Sequence, residues 1–393
     1  MLEQYGFENL FFSEDGIKLK DKVRLIELFA GIGAQAKALE NLGINFEHYK
    51  VCEFDKYAIT SYNAIHNTNF TTSDIRDLKG SDLEIVDTDT YSYILTYSFP
   101  CQDLSLAGNQ EGMKEGSNTR SALLWEVKRL LTETEHLPQV LVMENVPQVI
   151  SKNNLSDFNK WIKFLESLGY SSLYSLQNAT SYDIPQNRSR CFMVSWLGDY
   201  SYTFPKGTPL KYKLADMLES SVDAKYYLSE KALRGVLNSS FMQKKRQIQT
   251  TDICDTILSR DYKDPKCVIE NTSPNRLFNI YGEEFGEGYA GNVWDKNAVC
   301  PTLTTMQGGN RQPMILEDDN ILTLLHNKMV RKLTPKECWR LMGFSDADFE
   351  KARVALNNTY HNGKDKSDSQ LYKQAGNSIV VNVLMALFKE MVK

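Results

Sequence analysis

Between Val23 and Leu168, short apolar runs alternate with amphipathic segments, and this alternation restricts the architecture more than any other feature of the chain. Four strand and helix pairs are predicted: Val23 to Phe29 with Ala34 to Leu42, Tyr49 to Glu53 with Tyr57 to His66, Tyr91 to Tyr97 with Ser121 to Thr132, and Val140 to Glu144 with Leu155 to Leu168. A final strand is predicted over Cys191 to Leu197. Strands joined through helices return to the same edge and pair in parallel, and helices then cover both faces. The expected fold class is α/β, with a mostly parallel sheet flanked by helices.

The pattern breaks near residue 200 into short segments rich in Gly, Asn, Asp and Pro, which predicts a second, smaller, turn-rich β domain. Its Cys254-Asp-Thr-Ile-Leu-Ser stretch, running to Ile269, is echoed by Cys300-Pro-Thr-Leu-Thr-Thr, running to Ile315, and both predict paired β elements. The expected divisions are an extension over 1–22, the large domain over 23–199, the second domain over 200–330 and a return segment over 331–393. Within the return segment, residues 351–370 are polar and predict a surface loop, and Ile379 to Val392 predicts an amphipathic helix completing the large domain.

Seven scattered cysteines without a Cys-x-x-Cys pair, and five histidines without His-x-x-x-His spacing, indicate neither a disulfide framework nor a metal site. With no targeting signal and no apolar run of membrane-spanning length, a cytoplasmic protein away from membranes is expected. The net charge of −5 gives no global sign of a polyanionic partner. Locally, residues 225–276 carry ten Lys/Arg against six Asp/Glu, including Lys244-Lys245-Arg246 and Arg260. That patch could contact phosphates or be a solvated face.

Chemistry concentrates where strands end. Pro100-Cys101 directly follows the apolar run ending at Tyr97, in the crevice where open α/β sheets bind ligands. A nucleophilic thiol and a buried structural thiol are both open there. Strand Val23 to Phe29 runs into Ala30-Gly31-Ile32-Gly33-Ala34, a tight turn that lets backbone approach a ligand, and Glu53 follows Gly31 by 22 residues, suited to ribose hydroxyls. NAD and S-adenosylmethionine both fit that pattern. Glu144-Asn145 closes the next strand and offers either a proton-holding carboxyl or a turn. In Gln186-Asn187-Arg188-Ser189-Arg190, a strand period would set Gln186, Arg188 and Arg190 on one cationic face.

Together these stretches resemble the DNA (cytosine-5)-methyltransferase family of bacterial restriction-modification type. The resemblance lies in Phe29-Ala-Gly-Ile-Gly33, Phe99-Pro-Cys-Gln102, Glu144-Asn145-Val146, Gln186-x-Arg188-x-Arg190, Arg331-Lys-Leu-Thr-Pro335 through Met342-Gly343-Phe344, and Gln374-Ala-Gly-Asn-Ser378, all in the family's order. Glu27 stands where an Asp is common, and Ala34 where a second glycine is frequent.

The resemblance implies a Rossmann-like fold and methyl transfer from S-adenosylmethionine to carbon 5 of a cytosine flipped out of duplex DNA. Cys101 would add to carbon 6, with Glu144 holding N3 and the exocyclic amine, Arg190 reaching O2, and Arg188 and Arg190 favouring the thiolate. Phe29, Ala30, Gly31, Gly33, Glu53, Phe54, Asp74, Ile75, Pro100, Leu123, Asn377 and Ser378 would form the cofactor site, and Gly376-Asn377-Ser378 would cap a following helix. Gln102, Ser105, Arg120 and Gln186 would face DNA, together with Lys244, Lys245, Arg246, Arg260, Thr302, Thr304, Gly308, Gly309 and Arg311 of the target-recognition domain. Other expected properties are a monomer and, as a possible partner, an independently acting restriction endonuclease. An RNA cytosine methyltransferase is opposed by the size of the insert; a silent binder and a dehydrogenase leave the catalytic groups without a role.

Overall fold

The structure of the chain, a computed structural model, describes residues 17, 19–20, 22–100, 113, 116, 120–228, 248–249, 252–263, 266–271, 276–279, 292–294, 314–315 and 328–391. The expected extension over 1–22 lies almost wholly outside them.

Buried apolar runs form strands, and the intervening amphipathic segments form helices. In order these are β1 (Val23–Leu28), α1 (Ala34–Asn41), β2 (Phe46–Cys52), α2 (Lys56–His66), β3 (Ser92–Tyr97), α3 (Leu124–Glu133), β4 (Val140–Asn145) and α4 (Leu155–Ser167). Next come β5 (Tyr170–Asn178), β6 (Gln186–Asn187) and β7 (Ser189–Leu197). The central sheet has the order β2-β1-β3-β4-β7-β5. β1 to β4 pair in parallel, and β7 runs antiparallel to both β4 and β5. The sequence reading missed β5. Its run Tyr-Ser-Ser-Leu-Tyr-Ser-Leu-Gln-Asn is a polar edge strand in which Tyr174 and Leu176 stay exposed, so it lacks the apolar signature of its neighbours.

Alternation along the strands gives the sheet two apolar faces. On one, Ile26, Leu28, Leu95, Tyr97, Leu141 and Met143 pack with Val127 and Leu130 of α3 and Phe158, Trp161 and Leu165 of α4. The Trp161 indole N–H donates to the Tyr97 hydroxyl at 3.0 Å, which satisfies both buried polar groups. The return segment supplies the partners of the other helices: α1 packs on the Val381–Met391 helix and α2 on the Asp346–His361 helix.

Residues 351–370, expected as a surface loop, are instead mostly helical, spanning much of Asp346–His361 and the start of Asp368–Asn377. The starting signal was present in the sequence. Ser345 Oγ accepts from Asp348 N, and Asp348 Oδ2 accepts from Ser345 N at 3.1 Å, a capping box. Ser378 does not cap the final helix; its N–H donates to Gln374 O at 3.0 Å, so it closes the helix before it.

The chain forms two compact units: residues 1–217, 252–262 and 335–393 in the first, 218–251 and 263–334 in the second. These bounds differ from the expected divisions at 200 and 330, and the first unit also takes in residues 252–262, of which Cys254 and Asp255 pair with β6. In the second unit, β10 (Cys267–Asn271) pairs antiparallel with β14 (Lys328–Lys332) and parallel with β8 (Ile248–Gln249), and β12 (Asn292–Trp294) lies between β11 (Arg276–Asn279) and β13 (Met314–Ile315). The expected pairing of the 254 region with the 267 region is not formed. β9 (Cys254–Asp255) pairs with β6 instead, in the first unit.

Candidate active site

The chain leaves β1 for β2 on one side and then crosses to β3 on the other, so the sheet's topological switch point lies between β1 and β3. The registers pair Leu28 with Cys52 and Tyr97, and Tyr97 with Met143. Phe29, Glu53 and Ser98, just past the carboxyl ends of β1, β2 and β3, therefore form one row with Glu144, the penultimate residue of β4.

At β1 the chain turns sharply, with left-handed φ values of 59° at Phe29, 59° at Gly31 and 79° at Gly33. Gly33 is dictated by packing: an added Cβ would lie 2.3 Å from His66 Nε2 and 2.6 Å from the Tyr62 ring. At Gly31 the same Cβ would meet nothing within 4 Å, so this backbone faces open space. Glu53 buttresses the turn, accepting from Gly31 N at 2.8 Å and Asp55 N at 2.7 Å. Burial raises its carboxyl above the ordinary glutamate range against the opposing pull of these amides. Phe54 beside it is 74% exposed. An open glycine backbone, an acceptor carboxylate and a bare phenyl ring fit a nucleoside, which needs an acceptor for its hydroxyls and an apolar face for its base.

Asp74 is gripped by Arg76, whose Nε and Nη2 lie 3.0 and 2.5 Å from its two oxygens; this holds the carboxyl below the ordinary aspartate range. Ile75 is buried in the α3 and α4 core, against which the half-buried Leu123 and Phe29 also pack. The Ile75 side chain thus belongs to the core behind the row of strand ends.

Beneath the glycine turn lies a network that spacing could not reveal, because its members come from several elements. Tyr62 donates to Glu27 at 2.5 Å, and Glu27 accepts from Ala36 N at 3.3 Å. His66 Nδ1 lies 2.6 Å from Glu40 and its Nε2 3.2 Å from the Ile32 carbonyl, while His48 Nδ1 lies 3.0 Å from the Tyr62 hydroxyl. Lys37 bridges Glu40 and Asp348 at 2.7 and 2.8 Å. The network ties α1, α2 and the return segment to the underside of the turn.

The loop after β3 is hung from its neighbours. Asn145 Nδ2 donates to Phe99 O at 3.0 Å, and Ser121 Oγ to Pro100 O at 2.9 Å. Cys101, Gln102 and Ser105 lie outside the described residues, as does the side chain of Arg120. One position along the row, Arg190 Nε lies 3.1 Å from Glu144 Oε1, and both groups are largely buried. Burial raises the Glu144 carboxyl above the ordinary glutamate range, and Arg190 and then Arg188 pull against it. Cys191 behind them is a structural thiol, pushed up to about 12 by burial.

Gln186, Arg188 and Arg190 do not share one strand face, because the chain turns between β6 and β7, with Arg188 N donating to Gln186 O at 2.9 Å. Gln186 is buried, donating to Leu341 O at 2.7 Å and accepting from Ile257 N at 3.0 Å, so the expected DNA contact gives way to an internal one. Arg188, expected beside the reacting groups, is also buried and donates to the carbonyls of Ile257, Gly376 and Ser378. Asn377 is exposed, Ser378 is buried with its hydroxyl toward Ile379 O, and Arg260 is exposed. Lys244, Lys245, Arg246, Thr302, Thr304, Gly308, Gly309 and Arg311 lie outside the described residues.

The fold is shared with solved methyltransferases. The S. pombe Dnmt2 methyltransferase superposes with a TM-score of 0.62 at 20% identity, covering 95% of this chain and 98% of its own. The Entamoeba histolytica methyltransferase EhMeth does so at 0.63 and 15%, covering 94% and 98%. Sheet order, glycine turn and these likenesses define the fold class: a Rossmann-like α/β fold. Residues 23–393 match the family of C-5 cytosine-specific DNA methylases. The chain is 31% identical to the type II methyltransferase M2.ScrFI of Lactococcus lactis subsp. cremoris, covering 94% of this chain and 99% of the relative. It is also 31% identical to the orphan methyltransferase M.SssI of Spiroplasma monobiae, covering 93% and 96%. The chain belongs to the C-5 cytosine-specific DNA methylase family and is a cytosine-5 DNA methyltransferase. The family takes its methyl group from S-adenosylmethionine and works through a covalent cysteine adduct.

Proposed function

We propose that the chain methylates carbon 5 of a cytosine flipped from duplex DNA at one short recurrent sequence, with Cys101 as nucleophile. The observation that carries this reading is the Glu144–Arg190 pair, which stands beside the loop that Asn145 and Ser121 hold at Phe99 and Pro100. Carbon 5 of cytosine is a weak nucleophile. Cys101 Sγ bonds to carbon 6, and the ring's electron pair shifts to carbon 5 while Glu144 holds a proton at N3 and Arg190 faces O2. Burial raises the Glu144 carboxyl above the ordinary glutamate range, which favours its holding a proton, and Arg190 fixes its direction. When bound, S-adenosylmethionine supplies an electrophilic methyl group. Loss of the carbon-5 proton to a base then expels the Cys101 thiolate and restores the ring.

For the cofactor, Glu53 would accept from ribose hydroxyls, Phe29 and Phe54 would flank the adenine, and Asp74, Pro100 and Asn377 would complete the site. Gly31 leaves the room this needs. The second unit, with the basic stretch around Lys244 to Arg246, would read base edges. The protein would act as a monomer in the cytoplasm, independently of any cognate endonuclease.

Trapping tests the mechanism. Duplex DNA carrying 5-fluorocytosine should give an SDS-resistant complex with the wild type and none with Cys101→Ala. No complex with the wild type, or an equal one with the variant, would contradict it.

A further inference from the structure

After residue 217 the chain rejoins the first unit twice, as residues 252–262 and as residues 335–393. Both returns meet at one guanidinium. Arg188 Nη1 donates to Ile257 O at 2.8 Å in the first return, and Nη2 donates to Gly376 O at 3.1 Å and Ser378 O at 2.7 Å in the second. Only 3% of Arg188 is exposed.

The first return is fixed without Arg188 as well. β9 pairs with β6, Cys254 N donates to Pro185 O at 2.8 Å, and Gln186 accepts from Ile257 N at 3.0 Å. The second return is laid directly on it: a Cβ on Gly376 would stand 2.0 Å from Ser259 N and 2.2 Å from the Leu258 carbonyl carbon. Gly376 is thus required for two backbones to touch. Both Gln186, between Ile257 N and Leu341 O, and Arg188 span the two returns, and Arg188 alone of the two reaches the carbonyls around Asn377.

The two carbonyls held in the second return flank Asn377, at the carboxyl end of the Asp368–Asn377 helix. The last carbonyls of a helix lack partners within it and carry partial negative charge, so a planar, permanently charged fork suits them. Gly376 O belongs to the peptide plane just before Asn377 and Ser378 O to the 378–379 plane, so the backbone is held on both sides of Asn377, whose side chain is exposed.

We propose that Arg188 is a positioning residue for cofactor binding: it orients Asn377 by clamping the carbonyls on either side of it, and anchors that orientation to the 254–258 segment. This rests on the reading of Asn377 as part of the cofactor site. In this role Arg188 acts through Asn377 and the backbone around it, which separates it from Arg190, whose guanidinium pairs with Glu144.

The test is a double-mutant cycle on the full chain, read as the affinity for S-adenosylhomocysteine by calorimetry without DNA. Arg188→Met and Asn377→Ala are each expected to weaken binding by about tenfold or more, and the double variant no further than the weaker single one. Circular dichroism checks folding. If Arg188→Met does not fold, Arg188→Lys, which cannot span three carbonyls, takes its place in the cycle. A wild type that fails to bind contradicts the cofactor reading. Wild-type binding with an unaffected Arg188 variant, an unaffected Asn377→Ala, or losses that simply add, contradicts the positioning role alone.

Discussion

Asn145 at the end of β4 donates to the carbonyl of Phe99, 46 positions away in sequence and two residues before Cys101. Its own Oδ1 accepts from Val146 N at 2.8 Å, so the amide is locked at both ends. The asparagine of Glu144-Asn145-Val146 thus holds the backbone at Phe99, two residues before Cys101 in the sequence. Asn145→Ala should lower turnover by about a hundredfold by misplacing that loop. It should also cost about 1–3 kcal/mol of stability through an unpaired buried carbonyl. Single-turnover methylation and a thermal melt measure the two effects separately.

Glu144 should act in its protonated form. Glu144→Gln keeps the volume but lacks the titrating proton, so single-turnover methylation should fall by roughly 10² to 10⁴. The folded carboxyl is raised above its unfolded value, so its contribution to stability is complete below the ordinary glutamate range and declines as pH rises through the folded value. Denaturation over that window should show Glu144→Gln gaining stability relative to wild type as pH increases.

The two turn glycines should fail differently. Gly33→Ala drives a methyl into His66 and Tyr62 at a left-handed backbone position and should cost about 3 kcal/mol or more, enough to impair folding. Gly31→Ala meets open space and should cost only about 1–2 kcal/mol of backbone strain. Its methyl enters the cofactor's room, so calorimetry should show weaker S-adenosylhomocysteine binding by a protein that still folds.

Acid should loosen the return segment from α1. Burial would raise Asp348, but its bonds to Lys37 and Ser345 outweigh that and leave it below the ordinary aspartate range. A carboxyl lowered by folding contributes stability above its unfolded value, and this is lost as pH falls through the folded one. Asp348→Asn should be less stable than wild type at neutral pH, with the gap closing in denaturant titrations as pH falls below the ordinary aspartate range.

The parallel core of the fold was legible because its strands are buried on both faces and spell unbroken apolar runs, as from Tyr93 to Tyr97. β5 was not, since an edge strand needs only one apolar face. The 346–361 helix was lost to its polar composition, though Ser345 and Asp348 spelled its start. In the site, the glycine turn, Glu53, Glu144 and Arg190 follow from local spacing plus the ends of strands. The internal bonds of Gln186 and Arg188 are not legible in the sequence, because their partners Ile257, Leu341, Gly376 and Ser378 lie about 70 to 190 residues onward, beyond any local pattern. The His48, His66 and Glu40 network was missed for the same reason: three elements contribute one group each.

The most direct test of the central claim is cytosine methylation sequencing of DNA from a methylation-free host that expresses the chain, beside the Cys101→Ala variant. Cytosine-5 methylation at one recurrent short sequence, absent with the variant, is the predicted result. Unmodified DNA in both strains with soluble protein present, or equal methylation with the variant, would contradict the account.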